Sequence, residues 1–245
     1  MTDLTDKIAI VTGASAGIGA AIVKEFLASG MKVVGLARRK DKVEELGEDY
    51  EDRLFALKVD LTNEEDIVNA FSWTLENVGP VDVLVNNAGV STVKPIEYAE
   101  IEDFKSIIGT NLLGAMLCTR EAIKTMKAQD ISGTIININS VAGNEVCGVP
   151  LISIYTASKY GLRGFNDYIR KELAIAGSKI RITNLSPGIV GTEMAGAYVE
   201  TNRFIRPEDI AASVKFVVSQ PANVNISQIT VRPVGELFQG SQGRP

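Results

Sequence analysis

Short runs of β-branched and other apolar residues recur along the whole chain. They cover Lys7 to Thr12, Lys32 to Leu36, Leu54 to Val59, Val81 to Val85, Thr134 to Ile138, Lys179 to Leu185 and Ile229 to Val231. Near-continuous apolar runs of this length predict strands buried on both faces. Between them, apolar positions return at three- and four-residue spacing, which predicts helices over Gly17 to Ala28, Asp41 to Leu46, Glu64 to Asn77, Glu102 to Lys127, Tyr155 to Ala174 and Pro207 to Val218. The last of these opens on a proline with Glu208 and Asp209 in its first turn, residues that suit a helix start and its dipole. Regular alternation of strand and helix implies βαβ units with right-handed crossovers. The expected fold is therefore α/β, a doubly wound parallel seven-stranded sheet with helices on both faces, in one domain over residues 1–232 followed by a Gly- and Gln-rich tail over 233–245.

Composition narrows the chemistry. At 245 residues and 45% hydrophobic content, the chain can bury the core of one large domain. A formal charge of −5 gives no long-range attraction for nucleic acid or an anionic membrane, and no apolar run approaches the roughly 18 residues a membrane span needs. Two cysteines, Cys118 and Cys147, and an N-terminus with charged residues in place of an apolar leader fit a reducing, cytoplasmic setting. Nothing pairs with either cysteine, so both read as small hydrophobes. Histidine is absent, which removes the commonest general base and the commonest zinc ligand, and no metal site is expected.

Immediately after the first strand stands Thr12-Gly13-Ala14-Ser15-Ala16-Gly17-Ile18-Gly19, leading straight into a helix. Glycines there let the backbone turn sharply and approach a pyrophosphate, whose charge the N–H groups of the helix N-terminus stabilise. Gly13, Ser15, Ala16, Gly17, Ile18 and Gly19 are thus candidate cofactor contacts in a Rossmann-type fold. The second strand ends at Leu36-Ala37-Arg38-Arg39. An NAD enzyme usually has an acid there to accept from the ribose 2′-hydroxyl, and Ala37 offers none. A guanidinium at Arg38, assisted by Ser15 and Arg39, instead matches a 2′-phosphate, which points to NADP. Two arginines on a solvated helix start are the competing explanation.

Tyr155 and Lys159 are four apart at a helix start, so their side chains project from one face. A phenol has a reference pKa of about 10, and a nearby ammonium favours its phenolate. Tyr155 is then a candidate acid/base for a hydroxyl proton, with Ser140 at the end of the fifth strand holding the substrate oxygen. Taken singly, a Tyr-x-x-x-Lys pair is an ordinary helical spacing and a serine at a strand end is an ordinary cap.

Taken together and in order, these motifs resemble the short-chain dehydrogenase/reductase family from about Lys7 to Val231. The glycine turn is joined by Asn86-Asn87-Ala88-Gly89 after the fourth strand, Asn111 within the long fourth helix, Ser140, Tyr155 with Lys159, and Pro187-Gly188 followed by Thr192. The resemblance implies that Asp60 and Leu61 flank the adenine and that Asn87, Ala88 and Gly89 line the ribose region. It implies further that Asn111 holds a water continuing a proton relay from Tyr155 through Lys159, which also grips the nicotinamide ribose. Val190 and Thr192, after Pro187 and Gly188, would contact the nicotinamide carboxamide. Two departures concern the pocket. Ser140 and Tyr155 are fifteen apart, longer than usual, and the lid from Gly191 to Arg206 is short.

Within the family, the stretches Met31 to Arg39 and Ile135 to Gly143 look like the insect farnesol dehydrogenase group and its vertebrate carbonyl and ketosteroid reductase relatives. That implies an apolar alcohol or carbonyl substrate such as an isoprenoid alcohol. Val146, Val149, Leu151, Ile152 and Ile154 in the loop, with Met194, Tyr198 and Phe204 in the lid, agree with it, although core packing explains the same residues. The alternatives are a carbonyl or ketosteroid reductase, a 3-hydroxy acid dehydrogenase, or a non-catalytic NADPH-binding protein. The family's usual homo-oligomer, a tetramer or a dimer, would pair the fourth and fifth helices, where Ala157, Gly161 and Gly164 permit close approach.

Overall fold

A computed structural model describes residues 2–50, 52–146, 149–196 and 204–235. Its strands are β1 (Ile8–Thr12), β2 (Lys32–Ala37), β3 (Leu54–Lys58), β4 (Val83–Asn86), β5 (Thr134–Ile138), β6 (Arg181–Pro187) and β7 (Gln228–Val231). They form one seven-stranded sheet in the order β3-β2-β1-β4-β5-β6-β7. Every pairing is parallel, as the near-continuous apolar runs require. The helices are α1 (Gly17–Ala28), α2 (Lys40–Glu44), α3 (Glu64–Asn77), α4 (Ile101–Ile108), α5 (Ala115–Ala128), α6 (Ser153–Ile175) and α7 (Pro207–Val218). None of the described helices is long and apolar enough to cross a membrane.

Alternation along the strands builds two cores. Ala9 and Val11 of β1 with Val33 of β2 point to one face, where they pack with Ile22 and Phe26 of α1 and Val214 of α7. Ile10 and Val34 point to the other face, against Ile67 and Phe71 of α3 and Cys118 and Met126 of α5. Each fully buried side chain of this size contributes about 1.5–3 kcal/mol. Side chains cap α3 and α7, and the proline start of α7 is as expected. Asn63 accepts from the backbone of Glu65 at the start of α3, and Pro207 opens α7 with Asp209 accepting from the backbone of Arg206.

One element differs in kind from expectation. The continuous helix over Glu102 to Lys127 is interrupted, α4 passing through a π-helical turn over Gly109–Gly114 before α5. The interruption lies where the chain makes a close approach. A Cβ on Gly114 would lie 2.8 Å from the carbonyl oxygen of Leu61, and one on Gly109 would lie 3.2 Å from the Thr62 methyl, so both positions press on the loop after β3. Smaller differences are shifts of two residues at the starts of β4 and β6, against the expected Val81 and Lys179. The strand order reverses between β1 and β4, which opens a crevice beyond their carboxyl ends.

Candidate functional site

At that crevice lies a cleft of about 1030 Å³. Its floor is the glycine turn. Gly13 and Gly17 adopt left-handed conformations, φ +65° and +56°, that glycine alone takes without strain. A Cβ on Gly13 would lie 2.8 Å from Cα of Ala88, and one on Gly19 only 2.2 Å from the Gly13 carbonyl oxygen. Gly19 therefore sits beneath the turn, while Ser15, Ala16, Gly17 and Ile18 face the cleft with Gly13. The turn is tied to β4 by Thr12, whose hydroxyl accepts from the N–H groups of Asn87 and Ala88, both at 3.0 Å. Asn87 donates back to the carbonyl of Thr12 at 2.9 Å. Thr12 escaped the sequence reading, although a hydroxyl closing a buried strand just before the turn is a usable signal.

The start of α1 is open to an anion. Ala16 caps it without a side-chain hydrogen bond and no acid occupies its first turn, so its leading N–H groups lack a side-chain acceptor. A pyrophosphate fits this turn on both counts, backbone access and donor supply. Arg38 and Arg39 line one end of the cleft beside Asp60 and Leu61. The Asp60 carboxyl is held below the usual carboxylate range, first because the Thr62 N–H and hydroxyl donate to it, and further by the Arg38 guanidinium nearby. Arg39 faces Glu193 of the lid at 3.8 Å, an exposed and weak pair.

Tyr155 and Lys159 line the other end. The first turns of α6 bring the Lys159 ammonium 5.5 Å from the centre of the Tyr155 ring. Lys159 is buried, and its ammonium donates to the carbonyl of Ile138 at the end of β5, 2.9 Å away. Burial pushes its pKa down to about 8. Gly89 approaches this pair, a Cβ there lying 3.9 Å from the Lys159 nitrogen.

Asn111 lies in the π turn and is buried. Its oxygen accepts from the Val90 N–H at 2.8 Å, and its amide donates to the Val90 carbonyl and to the Ser158 hydroxyl. Ser158 in turn donates to the Tyr155 carbonyl at 2.6 Å. The side chain of Asn111 thus fastens the loop after β4 to the start of α6, with both amide hydrogens already engaged. Ser158 is the second residue the sequence reading passed over, though it stands directly before Lys159.

Ser140 directly follows Ile138 and Asn139, which line the cleft. Its hydroxyl oxygen accepts from the Ala142 N–H at 3.1 Å and caps a short 3-10 turn over Val141–Gly143, leaving the hydroxyl hydrogen to donate elsewhere. Pro187 ends β6, and the Gly188 N–H donates to the Val231 carbonyl at 2.8 Å, which carries the pairing with β7 one residue further. Val190 is buried in a bridge with Ile205 that pins the two ends of the lid together. Thr192 reaches the cleft over Gly17, its methyl 3.0 Å from where a Cβ of that glycine would be. Of the apolar loop and lid residues, Leu151, Met194 and Phe204 are exposed, Val146 strongly so, and Ile152 is buried. Cys147, Tyr198 and the tail from residue 236 lie outside the described residues. Cys118 is a buried small hydrophobe on α5, as expected, with its thiol pushed up to about 12 by burial.

The family model described as short chain dehydrogenase matches residues 7–203. The chain belongs to the short-chain dehydrogenase/reductase family. Among relatives, it is 41% identical to the farnesol dehydrogenase of Aedes aegypti over 95% of this chain and 98% of that protein. It is 38% identical to dehydrogenase/reductase SDR family member 11 of Gallus gallus, over 95% of this chain and 98% of that one. Among solved structures, a metagenomic short-chain oxidoreductase in complex with NADP superposes with a TM-score of 0.82 at 32% identity, covering 95% of this chain and 99% of that chain. The resemblance in the sequence to this family, and within it to the farnesol dehydrogenase group, is borne out by these likenesses.

Proposed function

We infer that this short-chain dehydrogenase/reductase is an NADP(H)-dependent enzyme interconverting an apolar alcohol and its carbonyl, with an isoprenoid alcohol such as farnesol as the leading substrate. The observation that carries the reading is one cleft lined both by Arg38 and Arg39 and by Tyr155 and Lys159, together with the start of α1, which has no side-chain cap. When bound there, a nicotinamide would supply the hydride acceptor or donor. Ser15, Arg38 and Arg39 would hold the 2′-phosphate, and Asp60 and Leu61 the adenine. Asn87, Ala88, Gly89 and Lys159 would hold the ribose region, and Val190 and Thr192 the carboxamide. Tyr155 takes the proton of an alcohol during oxidation and returns it to a carbonyl during reduction. Lys159 stabilises the intervening phenolate, and the Ser140 hydroxyl donates to the substrate oxygen. A water relay at Asn111 would use its main chain, because both hydrogens of its side-chain amide are engaged.

The preference for NADP is supported by Ala37, which gives the ribose 2′-hydroxyl no acceptor, and by the two arginines after it. An apolar substrate is supported by exposed Leu151, Met194 and Phe204 and by the farnesol dehydrogenase relative. Exposed Leu113, Tyr160 and Tyr168 support pairing of copies through the π turn and α6 into a dimer or tetramer. The test is steady-state kinetics with both cofactors on Arg38→Glu. Charge-assisted bonds worth about 1.5–3 kcal/mol predict a fall in the NADP/NAD ratio of kcat/KM by about 10- to 100-fold. An unchanged ratio overturns the cofactor assignment. A panel of terpenoid alcohols, ketosteroids and 3-hydroxy acids decides the substrate class, and binding of NADPH without turnover of any of them would leave a binding protein.

A further inference from the structure

The chemistry attributed to Tyr155 and Lys159 depends on where α6 sits, and a line of buried side-chain amides behind the site bears on that. Asn86, the last residue of β4, donates to the side-chain oxygen of Asn137 on β5 at 2.8 Å. Asn137 donates onward to the side-chain oxygen of Asn166 on α6 at 3.0 Å. Asn137 and Asn166 have no solvent exposure and Asn86 has 4%. Both ends of the line carry an orphan, since the Asn86 oxygen and the Asn166 amide nitrogen have no partner among the described residues. Unsatisfied buried polar atoms cost stability, and apolar side chains of similar shape would fill the same space without that penalty. Stability alone is therefore a poor reason for the line.

Its geometry suggests another. Lys159 and Asn166 lie two turns apart on one face of α6, and they grip consecutive residues of β5: Lys159 donates to the carbonyl of Ile138, and Asn166 accepts from Asn137. The apolar contacts of this helix face, through Leu162 and Leu173, are non-directional and tolerate roll and sliding. The lysine stem, with its several rotatable bonds, tolerates them too. A directional amide-to-amide bond does not. We propose that Asn166, held through Asn137 by Asn86, is a positioning residue that fixes the roll and axial register of α6 and thereby the placement of Lys159 against Tyr155. This rests on the reading that Tyr155 and Lys159 carry the proton transfer.

The experiment compares wild type, Asn166→Leu and the double variant Asn137→Leu/Asn166→Leu, each made also with Tyr155→Phe. The double variant removes both partners together and leaves Asn86 its bonds to Thr119 and the Ala115 carbonyl, so it folds even where the single variant is impaired. Ultraviolet difference titration of each protein against its Tyr155→Phe counterpart isolates the Tyr155 phenolate without substrate or cofactor. The expected result is a phenolate midpoint raised by about one unit in both Asn166 variants. A kcat for farnesol oxidation reduced about tenfold or more should accompany it, with KM changed much less. Folded variants with an unshifted midpoint and kcat within about twofold of wild type overturn the positioning role. Full activity of Tyr155→Phe alone would instead overturn the underlying acid/base reading, so the two failures are distinguishable.

Discussion

The most direct energetic consequence of this site is that Lys159 destabilises the fold at neutral pH. Its pKa falls from 10.5 to about 8 because the ammonium is buried, and nothing else contributes to the shift. A lysine whose folded pKa lies below its unfolded value binds fewer protons in the native state between those two values, so stability rises with pH across that window. At 1.36 kcal/mol per unit, the charged amine costs about 3 kcal/mol at pH 7, of which about 2 is recovered by pH 9.5, because the folded state has by then lost its proton while the unfolded state still holds it. The perturbation is Lys159→Met, made in a Tyr155→Phe background so that the phenol does not titrate alongside. Urea unfolding at fixed protein concentration, with and without the lysine, should give a stability difference that changes by about 2 kcal/mol between pH 7 and pH 9.5 in favour of the lysine-containing protein. The lost bond to the Ile138 carbonyl shifts the curve as a whole and largely cancels in the pH difference. A difference that stays flat across the interval refutes the reasoning, because it would mean that the amine is solvated and keeps its ordinary pKa in the folded protein.

Two further perturbations test the surroundings of the site. Gly19→Ala directs a methyl to within 2.2 Å of the Gly13 carbonyl oxygen, a backbone atom that cannot yield cheaply, so NADPH affinity measured by cofactor fluorescence should fall at least about tenfold, and wild-type affinity would show that the turn is not the pyrophosphate seat. In a Cys147→Ala background, Cys118, fully buried with its thiol at about 12, should resist iodoacetamide at pH 8.5 until urea unfolds the protein, and rapid native labelling would contradict the packing of α5.

The parts of the molecule legible in the sequence are those set by local pattern. The turn from β1 into α1 was readable because three glycines stand between an apolar run and an amphipathic one. Tyr155 and Lys159 were readable because helical spacing alone brings them to one face. The π turn was not, since Gly109 and Gly114 owe their identity to Leu61 and Thr62, some fifty residues earlier in the chain. Thr12, Ser158 and the Asn86, Asn137 and Asn166 line were missed for the same reason. Each makes sense only through a partner on another strand or helix. Ser140 was legible as a strand-end residue, and its hydroxyl oxygen makes the local cap that such a position favours while its hydrogen stays available to donate.

Parallel strands explain why these scattered residues meet at all. Arg38 follows the carboxyl end of β2, Asn87 that of β4 and Ser140 that of β5, and a parallel sheet brings all those ends to one edge. The reversal between β1 and β4 divides that edge. On one side are the arginines and Asp60, belonging to β2 and β3. On the other are the ties that hold Tyr155 and Lys159, belonging to β4, β5 and α6. Arg38 and Arg39 follow β2, Tyr155 and Lys159 sit on α6, and the glycine turn lines the cleft with both pairs. Cofactor choice and proton chemistry are therefore separable by mutation. The Arg38→Glu variant that alters the NADP/NAD ratio should leave the Tyr155 phenolate midpoint where it is, whereas the Asn166 variants should move that midpoint and leave the ratio alone.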